Sequence, residues 1–187
     1  GRLQFRVVPA CGDCMNALPE PVRQRAAAIR LVSFDVDGVL TDGRIVYSER
    51  GDEIKAFHVQ DGSAIKLLQD HDIRVALITG RRSAMVERRA AELGIEHVFQ
   101  GVADKGLALQ ELCARLELPA AAVAHVGDDL PDLPLFHRVG LAIGVPNGHP
   151  ATFAHVHYVT ELPGGAGVAR EVCALLLRAG GRWPFDP

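Results

Sequence analysis

The chain has 187 residues, 48% of them hydrophobic and 23% charged, the proportions of a globular domain with its own core, which excludes a largely disordered or collagen-like protein. Twenty Lys and Arg against 23 Asp and Glu leave a formal net charge of −3, with no basic stripe able to neutralise a run of phosphates, so no nucleic-acid partner is expected. The longest apolar stretches, such as Val75 to Ile78 and Cys173 to Leu177, fall far short of the ~20 residues of a membrane span, and Val7 to Cys11 is too short for a secretory core segment. The expectation is a cytoplasmic protein that does not enter the membrane.

Taken in chain order, residues 1–28 read as a flexible arm. Cys11 and Cys14 form a C-x-x-C there, but no second ligand pair follows for zinc, and the neighbours Pro9, Gly12 and Asn16 do not suit a redox motif between a strand and a helix. A single domain is expected over residues 29–180. It opens with a β-rich run, Ile29 to Phe34, that ends in Asp-Val-Asp-Gly. Ile45 to Val59 alternates around a Glu-Arg-Gly-Asp turn and reads as a β-hairpin. A helix begins near Asp61, which can cap it, and Ile73 to Thr79 is a buried strand. Helix Ser83 to Leu93 ends at Gly94, strand Ile95 to Gln100 follows, and Asp104 caps a helix that reaches Leu116. Strand Val123 to Val126 runs into Gly-Asp-Asp. A short helix, Leu133 to Val139, precedes strands near Leu141 to Val145 and Val156 to Thr160, the latter placing His155 and His157 on one face. The last helix spans Val168 to Ala179, and residues 181–187 form a tail. Strands alternating with helices imply an α/β fold, a three-layer Rossmann-like sandwich around a parallel sheet with a β-hairpin insertion.

The polar residues at the strand ends carry the chemistry. Asp35 and Asp37, then Thr79 and Arg81, then Lys105 one loop further, then Asp128 and Asp129 all fall where strands stop, and the carboxyl edge of an open parallel sheet is where ligands bind. Asp35, Asp37 and Asp128 brought together repel one another unless a cation intervenes. Mg2+, which prefers oxygen ligands and shares them with substrate phosphate, resolves that conflict. Lysine and threonine suit the oxygens of a transferring phosphoryl group. Asp42 and Asp61 also have simpler readings as caps of a turn and a helix.

D-V-D-G-V-L-T-D at 35–42, I-T-G-R at 78–81, Lys105 and G-D-D-L-P-D at 127–132 resemble the four ordered motifs of the haloacid dehalogenase superfamily of phosphatases. More narrowly, K-A-F-H-V-Q-D-G at 55–62, F-Q-G at 99–101 and P-G-G-A-G-V-A-R-E-V-C at 163–173 are similar to the 3-deoxy-D-manno-octulosonate 8-phosphate phosphatase family. The resemblance implies a haloacid dehalogenase-like fold and a two-step hydrolysis. Asp35 would attack phosphorus to give an aspartyl phosphate, and Asp37 would protonate the leaving sugar oxygen and then deprotonate water. Thr79 and Lys105 would hold the phosphoryl group. Mg2+ would lie between Asp35, Asp128 and the backbone carbonyl of Asp37, with Asp129 and Asp132 behind them. The sugar acid would meet Asp37, His58, Val59, Gln60, Asp61, Gly62, Arg81 and Lys105, with Lys66 and Arg89 as further candidates for its carboxylate. The segment holding Arg170 resembles one that enters a neighbouring subunit's active site.

No insertion is long enough for a cap domain, so the resemblance also implies a homotetramer, with paired hairpins roofing the sites. Three alternatives stay open. One is a phosphatase for nine-carbon 3-deoxy sugar acid 9-phosphates, another a non-catalytic assembly module. The third, a signalling receiver domain, also uses Asp, Thr, Lys and Mg2+, but its acidic pair precedes the acceptor, whereas here D-x-D comes first and G-D-D last.

Overall fold

Strands that are buried at every position must be covered on both faces, and the central strands of this chain are such strands. The structure, a computed structural model, describes residues 18–185. Its elements are α1 (Glu20–Ala27), β1 (Leu31–Phe34), β2 (Val46–Tyr47), β3 (Glu53–Ile54), α2 (Val59–Asp70), β4 (Arg74–Ile78), α3 (Ala84–Leu93), β5 (His97–Phe99), α4 (Lys105–Leu116), β6 (Val123–Gly127), α5 (Leu133–Phe136), β7 (Leu141–Gly144), β8 (Tyr158–Val159) and α6 (Val168–Ala179). Six strands form one parallel sheet in the order β5-β4-β1-β6-β7-β8. Alternate residues then face opposite layers. Val32, Phe34, Val75, Leu77, Val126 and Ile143 point into a core shared with α1, α2, α3 and α6, while Leu31, Ala76, Ile78, Val123 and Ala142 pack under α4 and α5. The expected three-layer α/β sandwich is what forms.

Register decides where the chemistry gathers. Phe34 lies opposite Leu77 on one side and Val126 on the other, so Asp35, Thr79 and Asp128 all leave the sheet at the same edge. Two capping signals hold: Asp104 accepts the Leu107 N–H at 3.1 Å, and Gly94 closes α3 at φ 68°.

Several segments differ from the sequence expectations. The arm is not free throughout, because residues 20–27 form α1, whose Val22 and Ala26 are buried against the core beside α6. Two apolar residues one turn apart are too few to stand out as periodicity. The Cys11/Cys14 pair lies outside the described residues. At the other end, Trp183 packs on the core and under the Arg178 guanidinium, 4.4 Å from the ring centre, so the tail is docked through that ring. The hairpin has only two residues per strand, although its turn at 49–52 is as expected, closed by Ser48 N–H to Asp52 O at 2.9 Å. His155 and His157 do not share a strand face: His155 ends a 3-10 turn, 3.0 Å from His137, and His157 Nδ1 accepts the Ala142 N–H.

The last helix, α6, forms at its expected bounds and carries Arg170 in its first turn. Residues 168–179 form a helix buried in this chain's own core, packed along α2. Asp61 serves that helix and not its own: α2 begins at Val59, and the Asp61 carboxylate accepts the Arg170 N–H at 3.0 Å in the first turn of α6. A carboxylate there satisfies one of the donors every helix start leaves open. Asp61→Ala should therefore destabilise the fold by about 1 kcal/mol in urea unfolding, while Asp61→Asn, which keeps an acceptor oxygen, should lose less; equal stability of all three proteins would show the cap to be idle.

Candidate active site

The turn after β1 places Asp35 under the sheet edge, where it is buried and takes two donors, the Val36 N–H at 2.6 Å and Lys105 Nζ at 2.7 Å. Lys105 opens α4, so the cap at Asp104 also aims this ammonium. Its second partner is Asp132 Oδ1 at 2.6 Å. Asp132 is fully buried and saturated. Oδ1 also meets His125 Nε2 at 3.1 Å, and Oδ2 accepts the N–H groups of Asp128 and Asp129 at 3.0 and 3.2 Å. Burial pushes Asp132 up, but His125 and Lys105 outweigh it and hold the carboxyl well below the usual range. An ionised carboxylate only accepts, so Nε2 carries the proton, and Ser33 Oγ, opposite on β1, lies 2.9 Å from His125 Nδ1.

Carboxylate oxygens of Asp35, Asp128 and Asp132 lie within 4.8 Å of one another. Lys105 is the only cation among the described residues bonded to this trio. Asp132 is fully engaged, which leaves Asp35 and Asp128 to face a ligand. No donor among the described residues reaches the Asp128 carboxylate. Burial, then the charges of Asp35 and Asp132, push its pKa up to about 7, and burial raises Asp35 against the opposing pull of Lys105. Asp128 rests on Gly38, at φ +90°, where an added Cβ would lie 2.0 Å from Oδ2. Asn147 fixes that loop by donating to Gly38 O at 2.9 Å while accepting the Gly164 N–H at 2.7 Å. Hard oxygen ligands with excess negative charge fit a Mg2+-like cation.

Asp37 belongs to a second network. Its Oδ1 accepts from Lys55 Nζ, which also lies 3.2 Å from Glu53 on β3. Arg81 donates to Glu53 at 2.9 Å, and its Nε stands 3.7 Å from Asp37 Oδ2. Thr79, just past the end of β4, is buried and braced by its N–H to Phe99 O at 2.9 Å.

The expected sugar contacts divide. Arg81 reaches the catalytic loop. Asp61 is buried as the α6 cap, and burial raises its pKa against the Arg170 N–H. Gly62 is packed so closely that a Cβ would sit 2.3 Å from Arg89 Nη2. Arg89 stacks on Phe57, 5.9 Å from its centre, and pairs with Glu92 at 3.3 Å. With His58 these residues enclose a cavity of only about 10 Å³. Val59, Gln60 and Lys66 are exposed on α2. Asp42 caps a turn through the Arg44 N–H at 3.0 Å, and Asp129 caps the 3-10 turn at 130–132.

A family model described as haloacid dehalogenase-like hydrolase matches residues 96–172. The chain is 48% identical over 166 residues to the 3-deoxy-D-manno-octulosonate 8-phosphate phosphatase of Yersinia pestis, covering 89% of each protein. The chain belongs to the 3-deoxy-D-manno-octulosonate 8-phosphate phosphatase family. The family's Escherichia coli K12 enzyme is 45% identical over 169 residues, 90% of each protein. Among solved structures of the family, the Yersinia pestis phosphatase superposes with a TM-score of 0.87 at 48% identity, covering 88% of this chain and 89% of that one. The Moraxella catarrhalis phosphatase, crystallised with magnesium ion, phosphate ion and KDO, gives 0.84 at 48% identity over 86% and 92%.

In this phosphatase-family site, sequence reasoning missed Glu53, Lys55, Asn147 and the Ser33–His125 pair. Lys55 and Glu53 sit on a short exposed hairpin, where charges ordinarily mean a solvated strand. Ser33 and His125 occupy strand interiors and carry no loop signature. A polar residue in an otherwise apolar buried strand was the available signal.

Asp128 links the site to pH. Its folded-state pKa of about 7 stands above the unfolded carboxylate value, so without a divalent ion its contribution is present at low pH and is lost as pH rises towards 7. The Mg2+-dependent increase in Tm should therefore be larger at pH 8 than at pH 6, and Asp128→Asn should flatten that difference in thermal scans.

Proposed function

We propose that the protein is a Mg2+-dependent phosphatase that hydrolyses 3-deoxy-D-manno-octulosonate 8-phosphate to 3-deoxy-D-manno-octulosonate and phosphate, a step of lipopolysaccharide precursor synthesis in the cytoplasm. The observation that carries this reading is the Asp35–Lys105–Asp128–Asp132 cluster at the sheet edge, with Asp37 two residues beyond the nucleophile, in a chain so similar to phosphatases of that activity. Lys105 and the Val36 N–H fix the orientation of Asp35 as it attacks phosphorus in line with the departing sugar oxygen. Asp37 gives that oxygen a proton and takes one from the water that opens the aspartyl phosphate. Thr79 and Lys105 meet the phosphoryl oxygens, and Arg81, already at Asp37, meets the sugar acid. Mg2+, held by Asp35, Asp128 and the Asp37 carbonyl, would neutralise charge on the transferring group. Asp132 orients Lys105 and the 128–129 backbone. His58 stands at the N-cap of α2, Val59 and Gln60 open it, exposed like Lys66, and with Arg89 they complete the residues offered to the sugar acid.

Phosphate release tests this. The eight-carbon 8-phosphate should be turned over with Mg2+ well above a nine-carbon 9-phosphate or a hexose phosphate, and Asp35→Asn should abolish turnover with the fold intact. Equal slow release from all three, or activity in Asp35→Asn, would remove the reading.

We further infer a homotetramer. Ile45, Val46, Tyr47 and Ile54 of the hairpin and Val59 beside it are exposed, 46–75% by residue, and β2 and β3 pair only with each other. An uncovered apolar ribbon of this kind favours association. Light scattering at micromolar concentration should return four chains, and Tyr47→Asp should reduce that mass; a monomer for the native protein would overturn the inference.

A further inference from the structure

Asp37 is held unevenly. Lys55 Nζ donates to Oδ1, whereas Oδ2 is buried and has no hydrogen-bond partner. Arg81 Nε stands 3.7 Å from Oδ2, beyond hydrogen-bond reach, and is itself without a partner. Buried carboxylate oxygens are seldom left so. Lys55 is an unusual residue for a hairpin: its side chain is 2% exposed, although β2 and β3 around it are open to solvent. Burying an ammonium is costly unless it is paired, and here two carboxylates take it, Asp37 on the loop after β1 and Glu53 at 3.2 Å on β3, two residues before it.

We propose that Lys55 is a positioning residue for the reaction: by holding Oδ1 of Asp37, it fixes the carboxyl that exchanges the proton with the sugar's leaving oxygen. The inference rests on the proton-transfer role proposed above for Asp37. In the first step the bond from phosphorus to the sugar oxygen breaks, a bond from phosphorus to Asp35 forms, and the Asp37 carboxyl proton passes to the departing oxygen. In the second, water adds to phosphorus, the bond to Asp35 breaks with its electron pair returning to the carboxylate, and the water proton passes to the Asp37 carboxyl. Glu53 has its own part. It is the second anion on Lys55, 3.2 Å away, and anchors the ammonium from the hairpin side, so that losing either charge loosens Asp37.

The test compares leaving groups, since only a poor leaving group needs a proton in flight. kcat/KM, which reports steps up to formation of the aspartyl phosphate, is measured for the octulosonate 8-phosphate and for p-nitrophenyl phosphate in the native protein, Lys55→Met, Lys55→Arg, Glu53→Gln and Asp37→Asn. In Lys55→Met the sugar phosphate should lose roughly 10- to 100-fold, and the aryl phosphate about 3-fold or less, with the Mg2+ concentration for half-activity unchanged. Lys55→Arg should recover part of the loss, and Glu53→Gln should show the same split more weakly, which keeps the test alive should Lys55→Met fold poorly. Equal losses on both substrates, or no loss on either, would overturn the proposal. Asp37→Asn separates the two ideas. A split there with none in the Lys55 and Glu53 variants defeats only the positioning role, whereas full sugar-phosphate activity in Asp37→Asn defeats the proton-transfer reading beneath it.

Discussion

Charge imbalance at one edge of the sheet is the constraint that the rest of the molecule accommodates. Three carboxylates, Asp35, Asp128 and Asp132, gather around the single ammonium of Lys105, which bonds only the first and the last. Next to them, Asp37 and Glu53 face Lys55 and Arg81, two against two. The first set is short of positive charge and the second is not, so a cation is drawn to one place and excluded from the other. Under the proposed mechanism the same asymmetry would divide the work, with phosphorus handled where Mg2+ would be held and protons where the charges already cancel.

Holding like charges together takes a rigid support. The parallel register of β1, β4 and β6 fixes the strand ends, and layers on both faces leave those strands no freedom to part. Around the edge, small devices prevent the carboxylates from moving away from one another. Gly38 lets backbone lie directly under Asp128, and Asn147, one donor and one acceptor, ties that loop to the one entering α6.

Much of this was legible in the residues. D-x-D, Thr79, Lys105 and G-D-D announced themselves because each interrupts an apolar strand at its end, and a chain of alternating strands and helices brings such ends together. The sugar-binding set was harder. Asp61 and Gly62 stood in a motif whose letters fit a ligand, yet the letters serve equally to cap α6 and to let Arg89 approach α2, a choice made by tertiary packing. Lys55 and Glu53 were hidden for the opposite reason, since only the folded position of the hairpin turns ordinary strand charges inward. Helix α1 was missed because its two buried residues, Val22 and Ala26, are a pattern too short to read.

Asp132 carries a consequence for how such a site can change over time. Its two oxygens receive four donors: Lys105, His125 and two backbone N–H groups. Asparagine, a single-base change away and nearly the same shape, would bring an NH2 group against the ammonium and the imidazole. The ammonium cannot turn into an acceptor, and flipping the amide would set the NH2 against the two backbone N–H groups instead. The smallest substitution available to the gene is thus among the least tolerable to the protein, and a lineage that drifted away from aspartate here would need to replace the lysine in the same stroke.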